Sequence, residues 1–129
     1  MENNELIKLA KSVSSDRELT PAATIGGVGS ALIAGNGRAY KGKNIDCSCG
    51  IGFCAEHSAI AAMITEDETR IEKIVAINAD GEIMPPCGRG RELMGQINFD
   101  NQKTKIILNN NEEVELKELL PHYWLEKYL

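Results

Sequence analysis

At 129 residues the chain is one domain's length, with room for a core of ordinary size. A formal net charge of −5 argues against a duplex DNA or RNA partner gripped through its phosphates. No apolar run approaches the length of a membrane span, and the acidic start Met1-Glu2-Asn3-Asn4-Glu5 is the opposite of a secretory leader, so a cytoplasmic protein is expected.

Residues from Glu2 to about Val13 predict an amphipathic helix. Leu6, Ile7, Leu9, Ala10 and Val13 share one broad face, and Lys8 and Lys11 lie off it. Ser14-Ser15-Asp16 ends that helix. From Thr20-Pro21 the chain reads as extended, with small and β-branched residues through Ala22–Ile33. Gly35-Asn36-Gly37 is a hairpin signal, and Arg38–Gly42 returns as the second strand. The strand glycines suit tight sheet packing, a bulge, or the approach of a ligand to the backbone. Asn44-Ile45-Asp46 follows, two residue types that turn chemistry favours at a strand end. Cys47-Ser48-Cys49-Gly50-Ile51-Gly52-Phe53 then bridges to the next element. Its C-x-C spacing resembles a metal clip, although a small loop with two inert thiols is the plainer reading.

Cys54-Ala55-Glu56-His57 opens an alanine-rich apolar run that reads as a buried helix with the thiol at its first turn. A helix N-terminus favours anions, hence the thiolate, the form a metal binds. Glu56 sits two positions on, which predicts that it does not easily share an ion with Cys54 but can lean over whatever the metal holds. After the polar exit Thr65–Arg70, Ile74-Val75-Ala76-Ile77 reads as a strand buried on both faces. Asn78-Ala79-Asp80-Gly81 is a turn, and Ile83-Met84 leads to Pro85-Pro86-Cys87. Prolines suit a helix entrance, so a helix is expected from about Gly88 to Gln96. Lys105-Ile106-Ile107-Leu108 is a strand and Asn109-Asn110-Asn111 a turn. A short helical piece, Leu116–Leu120, is stopped by Pro121. This alternation of strands and helices implies a three-layer α/β/α domain over residues 1–129. All four cysteines precede helices, which suits an intracellular metal site better than a disulfide set.

Cys54-Ala55-Glu56, followed about thirty residues later by Pro86-Cys87-Gly88-Arg89-Gly90, resembles the zinc-dependent cytidine deaminase superfamily. Its signature is H-x-E or C-x-E followed by P-C-x-x-C. Gly90 stands where that signature has its last cysteine. The resemblance extends to Val28-Gly29-Ser30-Ala31-Leu32, similar to the V-G-A-A-L first strand of nucleoside deaminases, with Gly26 where that family has a stacking aromatic. It also covers Asn44-Ile45-Asp46, Arg91-Glu92-Leu93 and the ending Leu119-Leu120-Pro121-His122-Tyr123-Trp124.

The resemblance implies an α/β/α sandwich with a central mixed sheet and hydrolytic deamination of an aminopyrimidine nucleoside or analogue, of the cytidine, deoxycytidine or blasticidin S type. It implies Zn²⁺ held by Cys54 and Cys87, with Glu56 as the proton shuttle and not a ligand. His57, Cys47 and Cys49 are the candidates for a third ligand. It places Asn44 and Asp46 on the ribose hydroxyls, backbone groups near Ala55 on the base edge, and Trp124 by an active site, often a neighbouring subunit's. A homodimer or homotetramer is expected. The alternative, from the same Gly90, is a deaminase-like protein that binds nucleosides without turnover.

Overall fold

A computed structural model describes residues 1–129. Helix α1 (Asn3–Lys11) presents Leu6 and Ala10, four residues apart and fully buried, to the sheet. Strands β2 (Ala23–Ala34) and β3 (Ala39–Cys47) form the expected hairpin. At its turn Gly37 takes φ +85, the left-handed conformation such a turn requires. Helix α2 (Ala55–Thr65) follows, then β4 (Ile71–Asn78), the short β5 (Ile83–Met84) and helix α3 (Gly88–Ile97). Strands β6 (Lys105–Asn109) and β7 (Glu112–Glu115) close the sheet.

With β1 at Arg17–Thr20, the strands run in the order β1-β2-β4-β6-β7, with β3 paired to β2 and β5 paired to β4. Only β4 and β6 pair in parallel, so the sheet is mixed. Alternation along the strands divides the interior in two. Ala31, Val75, Ile77 and Ile107 pack against Leu6 and Ala10 of α1. Their neighbours Leu32, Ile74 and Ile106 face the other way, onto Ile60 and Met63 of α2 and Met94 of α3. The sheet therefore lies between α1 on one face and α2 and α3 on the other, the expected three-layer α/β/α architecture. Burying each such large aliphatic side chain contributes roughly 1.5–3 kcal/mol. Helix α2 rests directly on β3 at Gly42, where a Cβ would meet the Ala59 backbone nitrogen at 2.5 Å.

Several elements escaped the pattern, strand β7 among them. Strand β1 (Arg17–Thr20) is exposed at every residue, so no alternation marks it. A 3-10 turn at Phe99–Lys103 is polar in sequence but hangs on the buried Asn101. Its amide accepts from the Ile71 N–H and donates to the carbonyls of Thr69 and Met94.

Candidate active site

The two helix starts singled out in the sequence meet. Cys54 is the N-cap of α2 and Cys87 the N-cap of α3, both in extended backbone with ψ near 160° (163° and 162°). Cys87 Sγ accepts a hydrogen bond from the Gly90 N–H at 3.4 Å. Glu56, only 3% exposed, reaches the same point. The ligand atoms of Cys54, Glu56 and Cys87 all lie within 4.8 Å of one another. This differs from the expectation that Glu56 cannot easily join Cys54. That expectation placed Cys54 inside the helix, two positions from Glu56 on the helical wheel. As an extended cap, its side chain leaves the helical path and turns toward the carboxylate.

Position 57 goes elsewhere. Gly52 lies against β3 so closely that a Cβ there would overlap the Ile45 carbonyl. Phe53 and Ile45 exchange backbone hydrogen bonds at 2.9 and 3.0 Å. The Phe53 ring, fixed in this way, stacks on His57 at 4.7 Å between centroids. His57 is not part of the sulfur–carboxylate cluster, and its Nδ1 is buried without a hydrogen-bond partner. Cys47, at the end of β3, and the exposed Cys49, at φ +62 in the following 3-10 turn, also lie outside it.

The cluster opens onto a cavity of about 360 Å³. Asn44 and Asp46, two residues apart on β3 and so on one face, line it together with Ala55. Asn44 Oδ1 accepts from the Val28 N–H at 2.9 Å, and its Nδ2 donates to Asp46 Oδ2 at 3.1 Å. The amide is thereby fixed, and the second carboxylate oxygen of Asp46 is left for another donor. Phe53 and Met84 supply apolar wall. Neither was singled out beforehand. Their only sequence signal is adjacency, Phe53 immediately before Cys54 and Met84 immediately before the prolines. Trp124 does not line this cavity. It is 68% exposed, and its indole N–H donates to Glu92 Oε2 at 3.1 Å.

Electrostatics corrects one expectation. The helix terminus does not by itself make Cys54 a thiolate. Burial pushes its thiol up to about 12, and the negative Glu56 and nearby Cys87 add to this against the His57 backbone N–H. Burial likewise raises the Glu56 carboxyl above its ordinary value, opposed by hydrogen bonds from the Cys54 thiol and from Cys87. Without a cation, burial favours the protonated forms of Cys54 and Glu56. A small, thiophilic cation would reverse that preference, because it binds the deprotonated forms. Two sulfurs and a carboxylate oxygen converging at this separation fit the donor chemistry of zinc.

No family model matches the chain. Among characterised proteins it is 31% identical over 99 residues to a cytidine deaminase of Halalkalibacterium halodurans, covering 73% of this chain and 74% of that one. It is 35% identical over 100 residues to the cytidine deaminase of Sporosarcina psychrophila, covering 73% and 71%. It is 34% identical over 83 residues to that of Mycoplasma genitalium, a match that spans 63% of this chain and 62% of the relative. In fold it superimposes on the cytidine deaminase of Mycobacterium leprae with a TM-score of 0.78 at 25% identity, covering 95% of this chain and 99% of that one. For the Mycobacterium tuberculosis enzyme the TM-score is 0.79 at 23% identity, covering 96% and 98%. With 31% and 35% identity across more than two thirds of two such relatives, and the sulfur–carboxylate cluster at its helix starts, this chain belongs to the cytidine deaminase family of deaminase hydrolases.

Proposed function

We propose that residues 1–129 act as a single zinc-dependent domain that hydrolytically deaminates an aminopyrimidine nucleoside or close analogue, of the cytidine, deoxycytidine or blasticidin S type. One observation carries the reading. The Cys54 and Cys87 sulfurs and the Glu56 carboxylate converge within 4.8 Å on a cavity that also presents Asn44 and Asp46. The relatives named cytidine deaminases supply the substrate class.

Cys54 and Cys87 would hold the metal, and Gly90 takes the place of the last signature cysteine. When bound, zinc supplies the Lewis acidity that makes water a nucleophile near neutral pH. The protein's own work is done around it. Glu56 carries the water's two protons in turn, the first to the ring nitrogen beside the amine-bearing carbon and the second to the departing ammonia. Its burial suits that duty, because a raised carboxyl is more readily protonated at working pH. Backbone groups at Ala55, the buried first residue of α2, grip the base edge. Asp46 accepts from a sugar hydroxyl through its free oxygen, and Asn44 holds it in place. Phe53 and Met84 flank the base. No aromatic stacks from position 26, because a side chain there would run into the Ser15 carbonyl.

The same reading extends to assembly. Trp124, with Phe99, Tyr128 and Leu129 also exposed, would meet a neighbouring subunit in a homodimer or homotetramer. Its setting would be the cytoplasm, where four free cysteines stay reduced.

The test is zinc content of protein purified without added metal, with ammonia release assayed on the same sample from cytidine, deoxycytidine and blasticidin S. About one zinc per chain with turnover of one of these is expected. Zinc-loaded protein that binds nucleosides and releases no ammonia would overturn the reading.

A further inference from the structure

A catalytic zinc usually has three protein ligands. Cys54 and Cys87 supply two, and the remaining candidates can be compared by position. His57 is held by its stack on Phe53, outside the cluster. Cys47 and Cys49 are outside it as well. Gly90 has no side chain, and the three nearest atoms to the space its Cβ would take all belong to Glu56. The nearest atoms are Glu56 Oε1 at 3.2 Å, Glu56 Cβ at 3.3 Å and Glu56 Cγ at 3.5 Å. The Glu56 side chain therefore lies along the side of the cluster that a third cysteine would occupy, with its carboxylate within 4.8 Å of both sulfurs.

We infer that Glu56 is itself the third protein ligand, so that this chain holds its metal with two thiolates and a carboxylate. The inference rests on the zinc reading above and departs from the signature's division of labour, in which the glutamate stays off the metal. Charge supports it. Two thiolates and one carboxylate carry three negative charges against the two positive charges of Zn²⁺, so the cation is fully neutralised by these three groups alone. Geometry supports it too, since the extended N-cap at Cys54 brings both groups to one point. A carboxylate has two oxygens. One can serve the metal while the other carries the proton, and Glu56 is thus both a ligand and the catalytic residue.

The experiment measures zinc affinity by competition with a chromophoric chelator, on the full chain and on Glu56→Gln, Glu56→Ala, Gly90→Cys and the Glu56→Ala/Gly90→Cys double variant. Thermal unfolding by circular dichroism accompanies each, and Glu56→Gln preserves volume should Glu56→Ala unfold. Loss of a ligand is expected to weaken zinc binding by at least about 100-fold in Glu56→Ala, the upper end of what even outer contacts cost. Gly90→Cys should restore most of that loss in the double variant. Cobalt in place of zinc gives a second readout, since the d–d bands of the wild type should change on Glu56→Gln. Unchanged affinity and unchanged cobalt bands in the Glu56 variants, on a wild type that binds zinc tightly, would overturn this inference alone. A wild type that binds no zinc would overturn it together with the reading on which it rests.

Discussion

Gly26 lies against Ser15. At φ +82 it turns the chain within β2, and a Cβ on it would overlap the Ser15 carbonyl at the end of the α1 connection. The register of β2 against β3 shifts between Ile25 and Gly29, which is the bulge that this glycine allows. The contact explains why position 26 carries no side chain. It predicts that Gly26→Ala destabilises by about 2 kcal/mol or more, from left-handed strain and the backbone overlap together. Urea unfolding measures it. A stability equal to wild type would show that the segment 14–16 can withdraw, and that position 26 is open to a larger side chain.

Asn44 and Asp46 separate two effects that a single site residue usually mixes. Asn44 satisfies the Val28 N–H, so Asn44→Ala leaves a half-buried donor without its partner, a loss of about 1–3 kcal/mol. Asp46 is exposed and makes no comparable bond to the backbone. Asp46→Ala should therefore leave stability within about 0.5 kcal/mol while raising KM for the nucleoside. Paired unfolding and steady-state measurements check this. A fall in stability for Asp46→Ala as large as that for Asn44→Ala would assign both residues to the fold.

Glu56→Gln keeps the volume of a side chain that is 3% exposed and removes its ability to exchange a proton. Loss of general acid–base catalysis is expected to lower kcat by about 10²–10⁴-fold. The helix should survive, because an amide fills the same space. Turnover at the wild-type rate, with the melting temperature unchanged, would remove Glu56 from the proton path.

Much of this was legible in the sequence because the relevant signals are local. The continuous apolar run Ile74–Ile77 marked a strand covered on both faces, and it lies at the centre of the sheet. Cys54 and Cys87 were placed at helix starts from the residues beside them, and both are caps. What escaped depends on contacts across the fold. Strand β1 is held only by pairing with Ala23, Thr24 and Ile25, not by an apolar face of its own. The removal of His57 from the cluster follows from its stack on Phe53 and the close pass of Gly52 over Ile45, neither visible in a spacing of three residues on a helix. Trp124 was read as a site residue from a tail motif. In this chain its hydrogen bond is to Glu92 on α3, and it does not line the cavity.

Asn101 is the buried polar link between the start of β4 and the helix that carries Cys87. It is fully buried, accepts from the Ile71 N–H at 2.8 Å and donates to the carbonyls of Thr69 and Met94 at 3.0 Å each. Asn101→Leu would leave three backbone groups unpaired at once. A cost of about 3 kcal/mol or more is expected, each buried unsatisfied group being worth about 1–3 kcal/mol. Denaturant unfolding measures it, and a loss below about 1 kcal/mol would mean that water replaces the amide.

The tail docks on α3 through one carboxylate. Glu92 Oε2 accepts from Tyr123 Oη at 2.9 Å, from Trp124 Nε1 at 3.1 Å and from Gln96 Nε2 at 2.9 Å. Burial pushes the Tyr123 phenol from its ordinary 10.0 up to about 12, and the bond to the negative Glu92 adds to the shift. The folded phenol thus keeps its proton where the unfolded one has lost it. The stability this gives is fully present below pH 10.0 and is lost as pH rises through about 12. Tyr123→Phe cannot ionise, so the stability difference between wild type and variant should move against the wild type across that interval and stay flat below it. Unfolding free energies at stepped pH, with phenolate absorbance followed in parallel, measure both sides of the linkage. A phenolate midpoint for Tyr123 near 10, with a difference from Tyr123→Phe that does not change with pH, would show that the tail is not docked on Glu92 in solution.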